Sequence, residues 1–245
     1  MRRTPILFAL TAAATALAAC GDNRPNGPAE MSPAVTEPAV GVPPQAAPQA
    51  TAAPAQQAAP GGLQDGTDDW RRVATASDAS RLGRLDQAWR LARAEAEDAG
   101  FARQVEALGP LVDPNAAQAD RLQPTPGTYR CRTIKLGRRV EGQGLAYIDY
   151  PWFACAVELP PGGDLILTKT TGSQRLRGLL YPDTDRRLVY VGTQAWGQET
   201  GFPAYGENPE RDQVGVLERI GRNRWRLVLP WPRQEAKLEL LEITR

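Results

Sequence analysis

The sequence contains no histidine, which removes imidazole as a general base, as a partner for a nucleophile and as a metal ligand. Ser-His-Asp and Cys-His hydrolysis are thereby excluded. Any enzyme built on this chain would have to work with carboxylates, Lys, Arg or Tyr. Cysteine is almost as scarce, with three in 245 residues, and two of them without histidine make a poor zinc site. Net charge is lacking too: 29 Lys and Arg stand against 28 Asp and Glu. Such a balance offers no electrostatic footprint for nucleic acid or for a polyanionic partner. Beyond the first residues, no apolar run approaches the ~20 residues that a membrane-crossing helix needs.

What the chain does carry begins at its start. Arg2 and Arg3 precede a mostly apolar stretch from Ile6 to Leu17, too short to span a bilayer. Leu17, Ala18, Ala19, Cys20 and Gly21 follow. This arrangement resembles a bacterial lipoprotein signal peptide with its lipobox. The resemblance implies a signal over residues 1–19 and a Cys20 that carries a diacylglyceryl group and further acyl chains, palmitate among them. The competing reading is an ordinary secretory signal with Cys20 incidental. Two or more acyl chains anchor stably where one is marginal. Gly21, where an Asp would favour the inner membrane, points to the outer one. The expected address is therefore the cell envelope, lipid-anchored and facing the periplasm.

Residues 20–67 read as a tether behind the lipidated cysteine. From Asn23 to about Thr67 the chain is Pro, Ala, Gln and Gly with almost no large apolar residue, so it cannot bury enough surface to offset the entropy of ordering. About 45 flexible residues give an end-to-end distance on the order of 40 Å. Residues 68–245 then form one globular domain, helical over 68–125 and β over 126–245. With Cys20 acylated, Cys131 and Cys155 are the remaining thiols, and an oxidising compartment favours joining them. Two buried free thiols are the alternative.

In the helical part, Ser77 and Asp78 offer caps, and Leu82, Leu85, Trp89, Ala92 and Ala96 recur at helical spacing until Gly100. Phe101 to Leu108 and Pro114 to Leu122 read as two further short helices. After Pro126 the chain breaks into short β-branched and aromatic segments separated by Gly, Pro, Asp and Asn. They run Thr128 to Leu136, Trp152 to Leu159, Leu165 to Thr170, Arg175 to Tyr181, Arg187 to Thr193, Gln213 to Ile220, Arg224 to Trp231, and Ala236 to Ile243. In the seventh, Trp225, Leu227, Leu229 and Trp231 share one face and Arg224 and Arg226 the other, which predicts one wet side. Short links favour antiparallel meanders. The expected fold is mainly β (α+β): a short helical segment, then an approximately eight-stranded antiparallel barrel of calycin type, with a β-sandwich as the alternative. The helices would lie outside the barrel or plug one end.

Several blocks also carry a family resemblance: Trp70 through Ala92, Pro126-Gly127-Thr128-Tyr129-Arg130-Cys131-Arg132, Ile134-Lys135-Leu136-Gly137, and Tyr150-Pro151-Trp152-Phe153. Gly172-Ser173-Gln174-Arg175, Gly178-Leu179-Leu180-Tyr181-Pro182, the stretch Gly206 to Asp212, and Trp225 to Pro230 belong with them. Together they resemble an uncharacterised alphaproteobacterial envelope family, a domain of unknown function. The resemblance covers essentially everything after the tether and implies one domain, with no activity and no catalytic residue attached.

The longest irregular stretch in the β part, Gln194 to Asp212, carries Trp196, Glu199, Tyr205, Glu207, Asn208, Glu210, Arg211 and Asp212. Long loops in compact domains are often functional, and aromatics mixed with carboxylates suit a carbohydrate or peptide surface. The competing reading is a solvated connection whose charges pair among themselves. Glu199 and Glu207 would serve as acid and base only if the fold brought them within ~5–10 Å. Lys169 to Arg175, and Lys135 with Arg138 and Arg139, read first as solvated hairpins with exposed cations. The expected function is a noncatalytic binding or interaction module without a cofactor, working near peptidoglycan or an envelope protein. It would use the open barrel end and the 194–212 loop, in the sharpest version to inhibit an envelope hydrolase. The alternatives are a carrier of a small apolar ligand inside the barrel and a carboxylate-based hydrolase.

Overall fold

The computed structural model describes residues 67–245. The expected signal over 1–19, the expected lipidation site Cys20 and all but the last residue of the expected tether lie outside the described residues. Among the described residues, no helix is long and apolar enough to cross a membrane.

The helical part opens with α1 (Trp70–Val73), capped by Asp69 on the Arg71 N–H, and α2 (Ala76–Gly83), capped by Thr75 on the Asp78 N–H. The longer α3 (Leu85–Ala96) turns its Ala88, Trp89, Ala92 and Ala96 stripe inward. A wide turn over Glu97–Phe101 breaks at Gly100, whose φ of 94° favours glycine, and α4 (Ala102–Ala107) follows. The third helix expected over Pro114 to Leu122 does not form. Arg226 Nη1 draws in the carbonyls of Pro110, Leu111 and Asp113 just before it, and Asp120 and Arg121 take φ of 67° and 45°. The segment instead runs through turns and bends to the barrel's end, tied there by the Gln118 N–H on the Arg219 carbonyl.

The strands are β1 (Gly127–Arg138), β2 (Tyr147–Asp149), β3 (Phe153–Glu158), β4 (Leu165–Lys169), β5 (Gln174–Pro182), β6 (Arg187–Trp196), β7 (Asp212–Gly221), β8 (Arg224–Pro230) and β9 (Ala236–Thr244). Every sequence-predicted strand is present, and the short β2 is an addition. Neighbours pair antiparallel in the order β1, β3 through β9, and β9 returns to β1 with Cys131 opposite Ile243 and Lys135 opposite Glu239. This is a closed eight-stranded antiparallel barrel, with β2 attached to the second half of β1 opposite the β9 edge. Closure removes the exposed edges that an open sheet would leave.

The barrel wall separates two apolar layers. Outside it, the α3 stripe with Trp70, Val105 and Leu111 packs on Ile134, Leu136, Val214, Val216, Leu238 and Leu240. Inside, Tyr129, Cys131, Cys155, Val157, Leu167, Leu180, Tyr190, Leu217, Trp225, Leu227, Leu241 and Ile243 fill the lumen. Cys131 and Cys155 are joined as a disulfide between β1 and β3. Tyr190 fits because Gly178 and Gly192 lie under its ring: a Cβ at either position would come within 2.7 Å of it.

The expectation of one wet side on β8 is overturned. Trp225, Leu227 and Leu229 do point into the lumen, but Arg226 on the opposite face is fully buried beneath the helical segment. There it pairs with Glu218 at 2.7 Å. Trp231 leaves the strand with φ 49° and joins the outer layer, where its indole N–H donates to the Arg84 carbonyl at 3.2 Å. The helices lie on this face, so what periodicity marks as polar is covered.

Candidate functional site

The two ends of the barrel differ in chemistry. At the end where β1 starts, the inward positions are Tyr129, Val157, Leu165, Leu180, Leu188, Leu217, Trp225 and Ile243, all apolar side chains. Leu122 packs onto this layer, and its carbonyl accepts from Trp225 Nε1 at 2.8 Å, so the segment after the helices closes that end. A recess of about 660 Å³ opens at this end beside the Leu122 cover, lined by Leu122, Tyr129, Leu188 and Trp225 together with polar Thr184 and Asp185.

At the opposite end the same inward alternation continues into polar residues. β1 presents Thr133 and Lys135, β4 Lys169, β5 Gln174, β6 Gln194, β7 Gln213 and β9 Glu239. All of these but Gln174 are buried. Each is separated from inward apolar residues of its own strand by an even number of positions, after them on β1, β4 and β6 and before them on β5, β7 and β9, which is the signal that could have found this mouth. Lys135 and Lys169 are therefore not cations of solvated hairpins: they are 2% and 4% exposed.

Lys135 Nζ donates to Glu235 Oε2 at 2.5 Å and to Gln174 Oε1 at 2.7 Å, with Glu239 at 3.6 Å. Burial alone would lower its pKa, but the Glu239 and Glu235 carboxylates outweigh burial and hold it above the ordinary lysine value. Lys169 Nζ donates to the Gln174 carbonyl at 2.7 Å and sits 3.9 Å from the centre of the Phe153 ring. Burial pulls its pKa down to about 8, opposed by Glu239 and reinforced by Lys135 and Arg175. A recess of about 140 Å³ lies between these groups, walled by Tyr150, Phe153, Ser173 and Thr133. Beside it, sharing Lys135, Tyr150 and Glu235, a groove of about 490 Å³ runs along the β1–β2 hairpin. Val140 and Leu145 stand exposed on that groove.

The 194–212 loop forms part of the rim of this mouth, since the Gly197 N–H donates to the Ser173 carbonyl at 2.8 Å in the β4–β5 turn. Its residues divide between rim and scaffold. Arg211 makes a two-point ion pair with Glu199 (2.8 and 2.7 Å) and lies 3.4 Å over the Trp196 ring. Trp196 Nε1 in turn donates to Gln194 Oε1. The hydrogen bonds from Arg211 and from the Trp196 N–H pull the Glu199 carboxyl down to about 2, which leaves it ionised and poorly suited to donate a proton near neutral pH. Tyr205 turns inward, donating to Asp78 and accepting from the Thr75 N–H, so it docks the loop on α2. Burial, then the Asp78 hydrogen bond, pushes its phenol well up. Asp212 is buried and accepts from the Gly206 N–H at 3.0 Å. Burial raises its carboxyl. Glu207, Asn208 and Glu210 remain exposed at the tip, where Asn208 Oδ1 accepts from the Glu210 N–H.

A closed, filled antiparallel barrel with one apolar plugged end and one polar mouth is the class of protein defined here. The chain belongs to a family catalogued as a domain of unknown function, DUF4893, which matches residues 70–243. Comparison with curated proteins and with solved structures finds no match.

Proposed function

We propose that this protein is a noncatalytic binding module of the cell envelope, exported through its N-terminal signal, anchored through an acylated Cys20, and engaging its partner at the polar mouth of the barrel. The observation that carries the reading is the asymmetry of the lumen. One end is apolar and plugged, while the other gathers buried Lys135, Lys169 and Glu239 beneath a rim bearing Trp196, Arg211 and exposed Val140 and Leu145. Polar groups convergent in a concavity beside exposed apolar surface are what a recognition face needs. The lumen is packed with side chains, which weighs against a carrier of small apolar ligands. An inhibitor of an envelope hydrolase remains the sharpest form, and peptidoglycan the other candidate partner.

The test uses the full chain solubilised in detergent, offered a panel of purified envelope hydrolases and peptidoglycan sacculi. The expected result is retention of one of them, lost on Trp196→Ala or Leu145→Asp at the mouth and kept on Asp185→Arg at the plugged end. Retention of none, or equal loss from both ends, overturns the reading. Labelling with radioactive palmitate in the producing cell, expected for the native chain and absent for Cys20→Ala, checks the anchor separately.

A further inference from the structure

Four cations are buried among the described residues: Arg81, Lys135, Lys169 and Arg226. Arg81 pairs with Asp78 at 2.6 Å, Lys135 with Glu235 and Glu239, and Arg226 with Glu218 at 2.7 Å. Lys169 alone has no carboxylate of the described residues within 4.0 Å. An ammonium has three N–H donors, and one of them is used, on the Gln174 carbonyl. A buried charge normally comes paired, so the missing partner needs an account.

The amine is packed on one side and borders a recess on the other. Gly172, in the turn after β4, has a φ of 93°, and a Cβ there would stand 2.8 Å from Lys169 Nζ and 3.0 Å from the Phe153 ring. Glycine thus suits the φ of the turn, and its lack of a side chain lets Nζ and the Phe153 ring lie close against the backbone. Lys169 lines the recess of about 140 Å³, in which Ser173 and Thr133 add hydroxyls and Tyr150 and Phe153 supply flat walls. With liquid water occupying ~30 Å³ per molecule, that volume admits a group of a few heavy atoms.

The charge balance selects the kind of group. Glu235 and Glu239 are set against Lys135, Lys169 and Arg175, whose guanidinium is spent on the carbonyls of Gly172, Gly197 and Glu199. One positive charge is left over. A singly charged anion would neutralise it, whereas a doubly charged phosphate would leave an excess negative charge next to Glu239.

We propose, building on the reading of the mouth as the binding face, that this recess receives one carboxylate group, held by Lys169 Nζ at its floor with the Ser173 and Thr133 hydroxyls as further donors. The carboxylate arrives on a small free acid or as the C-terminus of a peptide. The groups facing Lys169 are Lys135 on β1, Phe153 on β3, Gln174 and Arg175 on β5, Glu239 on β9, and Tyr150 and Glu235 from the adjoining loops. Burial and the neighbouring cations have already brought Lys169 down to about 8. An arriving carboxylate therefore keeps the amine protonated to higher pH, and binding fades as pH rises above that value.

The experiment follows the Lys169 side chain by NMR in the full chain carrying ¹³C-labelled lysine, across pH 6–11. Probes are propionate, the peptide acetyl-Ala-Ala, its C-terminal amide, and phosphate. The expected result is a midpoint near 8 without probe, raised by about one pH unit or more by saturating propionate, acetyl-Ala-Ala or both, and unmoved by the amide. Affinity should fall with pH, by up to about tenfold per unit, between the free and the bound midpoints and level off above the latter. A response to propionate alone assigns a free acid, and a response to the peptide alone assigns a peptide terminus. Stronger binding of phosphate, or no shift with any probe, overturns the proposal. Lys169→Met should abolish binding, and the native-chain titration stands if that variant does not fold. Capture of a hydrolase or sacculus at the rim without any carboxylate effect would sink this inference and leave the broader reading intact.

Discussion

Arg226 offers the sharpest test of how this barrel is held to its helices. Its side chain is fully buried, its Nε lies 2.7 Å from Glu218 Oε2, and its Nη1 reaches the carbonyls of Pro110, Leu111 and Asp113 at 3.0, 3.1 and 2.6 Å. The guanidinium also stands 5.0 Å over the Trp89 ring. Arg226→Met keeps most of the volume but strands the Glu218 carboxylate, itself 11% exposed, and removes the donor from three carbonyls. Breaking a buried pair in this way costs about 3–5 kcal/mol, against a total stability of roughly 5–15 kcal/mol for a typical domain. Urea unfolding followed by tryptophan fluorescence should show the midpoint falling with an unchanged slope. The double variant Arg226→Met with Glu218→Leu should recover about 1–2 kcal/mol of the loss, because the stranded carboxylate is gone while the three carbonyls still lack their donor. A single-variant loss below about 1 kcal/mol, or a double variant no better than the single, would refute the view that this buried charge pins the helical segment to the wall.

Two further outcomes are expected. Removing the Cys131–Cys155 disulfide, whose half-cystines are 24 residues apart, should cost about 3.5 kcal/mol on the chain-entropy model; the double Cys→Ala variant in the same urea assay checks this, and a loss under 1 kcal/mol would show that the linkage constrains the unfolded chain little. The Asp183 side chain is 3% exposed, and this covering by itself would raise its pKa, but hydrogen bonds from Trp70 Nε1 at 2.9 Å and Arg187 Nε at 2.7 Å outweigh it and hold the carboxyl below the usual value. A depressed folded pKa contributes stability that is fully present above the unfolded value of ~3.9 and lost as pH falls through the folded one. The stability of Asp183→Asn should accordingly fall less steeply than that of the native chain between pH 5 and 2, and identical acid limbs would count against the assignment.

Much of the barrel was legible because an inward and an outward face alternate along every strand, and the turns between strands are marked by Gly, Pro, Asp and Asn. β2 escaped because three residues, Tyr147–Asp149, are too few to show a period. The absent helix over 114–122 is suggested by its proline start, but its backbone groups are committed elsewhere, the Asp113 carbonyl to Arg226 and the Gln118 N–H and Ala119 carbonyl to Arg219. The candidate site was half legible. The 194–212 loop does lie at the mouth, but Tyr205 and Asp212 are spent on docking it, and Glu199 is locked to Arg211. The two lysines are charged residues beside turn glycines, which locally resembles a solvated hairpin, yet their parity along the strand places them inside. Tyr129, Cys131, Thr133 and Lys135 share one face of β1, as Leu165, Leu167 and Lys169 share one face of β4, and those faces point inward.

The sequence by itself determined the number and direction of the long strands and the chemistry that lack of histidine forbids, since each depends on residue order or composition alone, and it left the two cysteines either joined or free. Only the tertiary structure decided that β9 closes on β1, that Arg226 lies under the helices, and that polar residues from β1, β4, β5, β6, β7 and β9 meet at one end. These depend on which strand ends become neighbours in space, and a local pattern carries no information about a partner a hundred residues away.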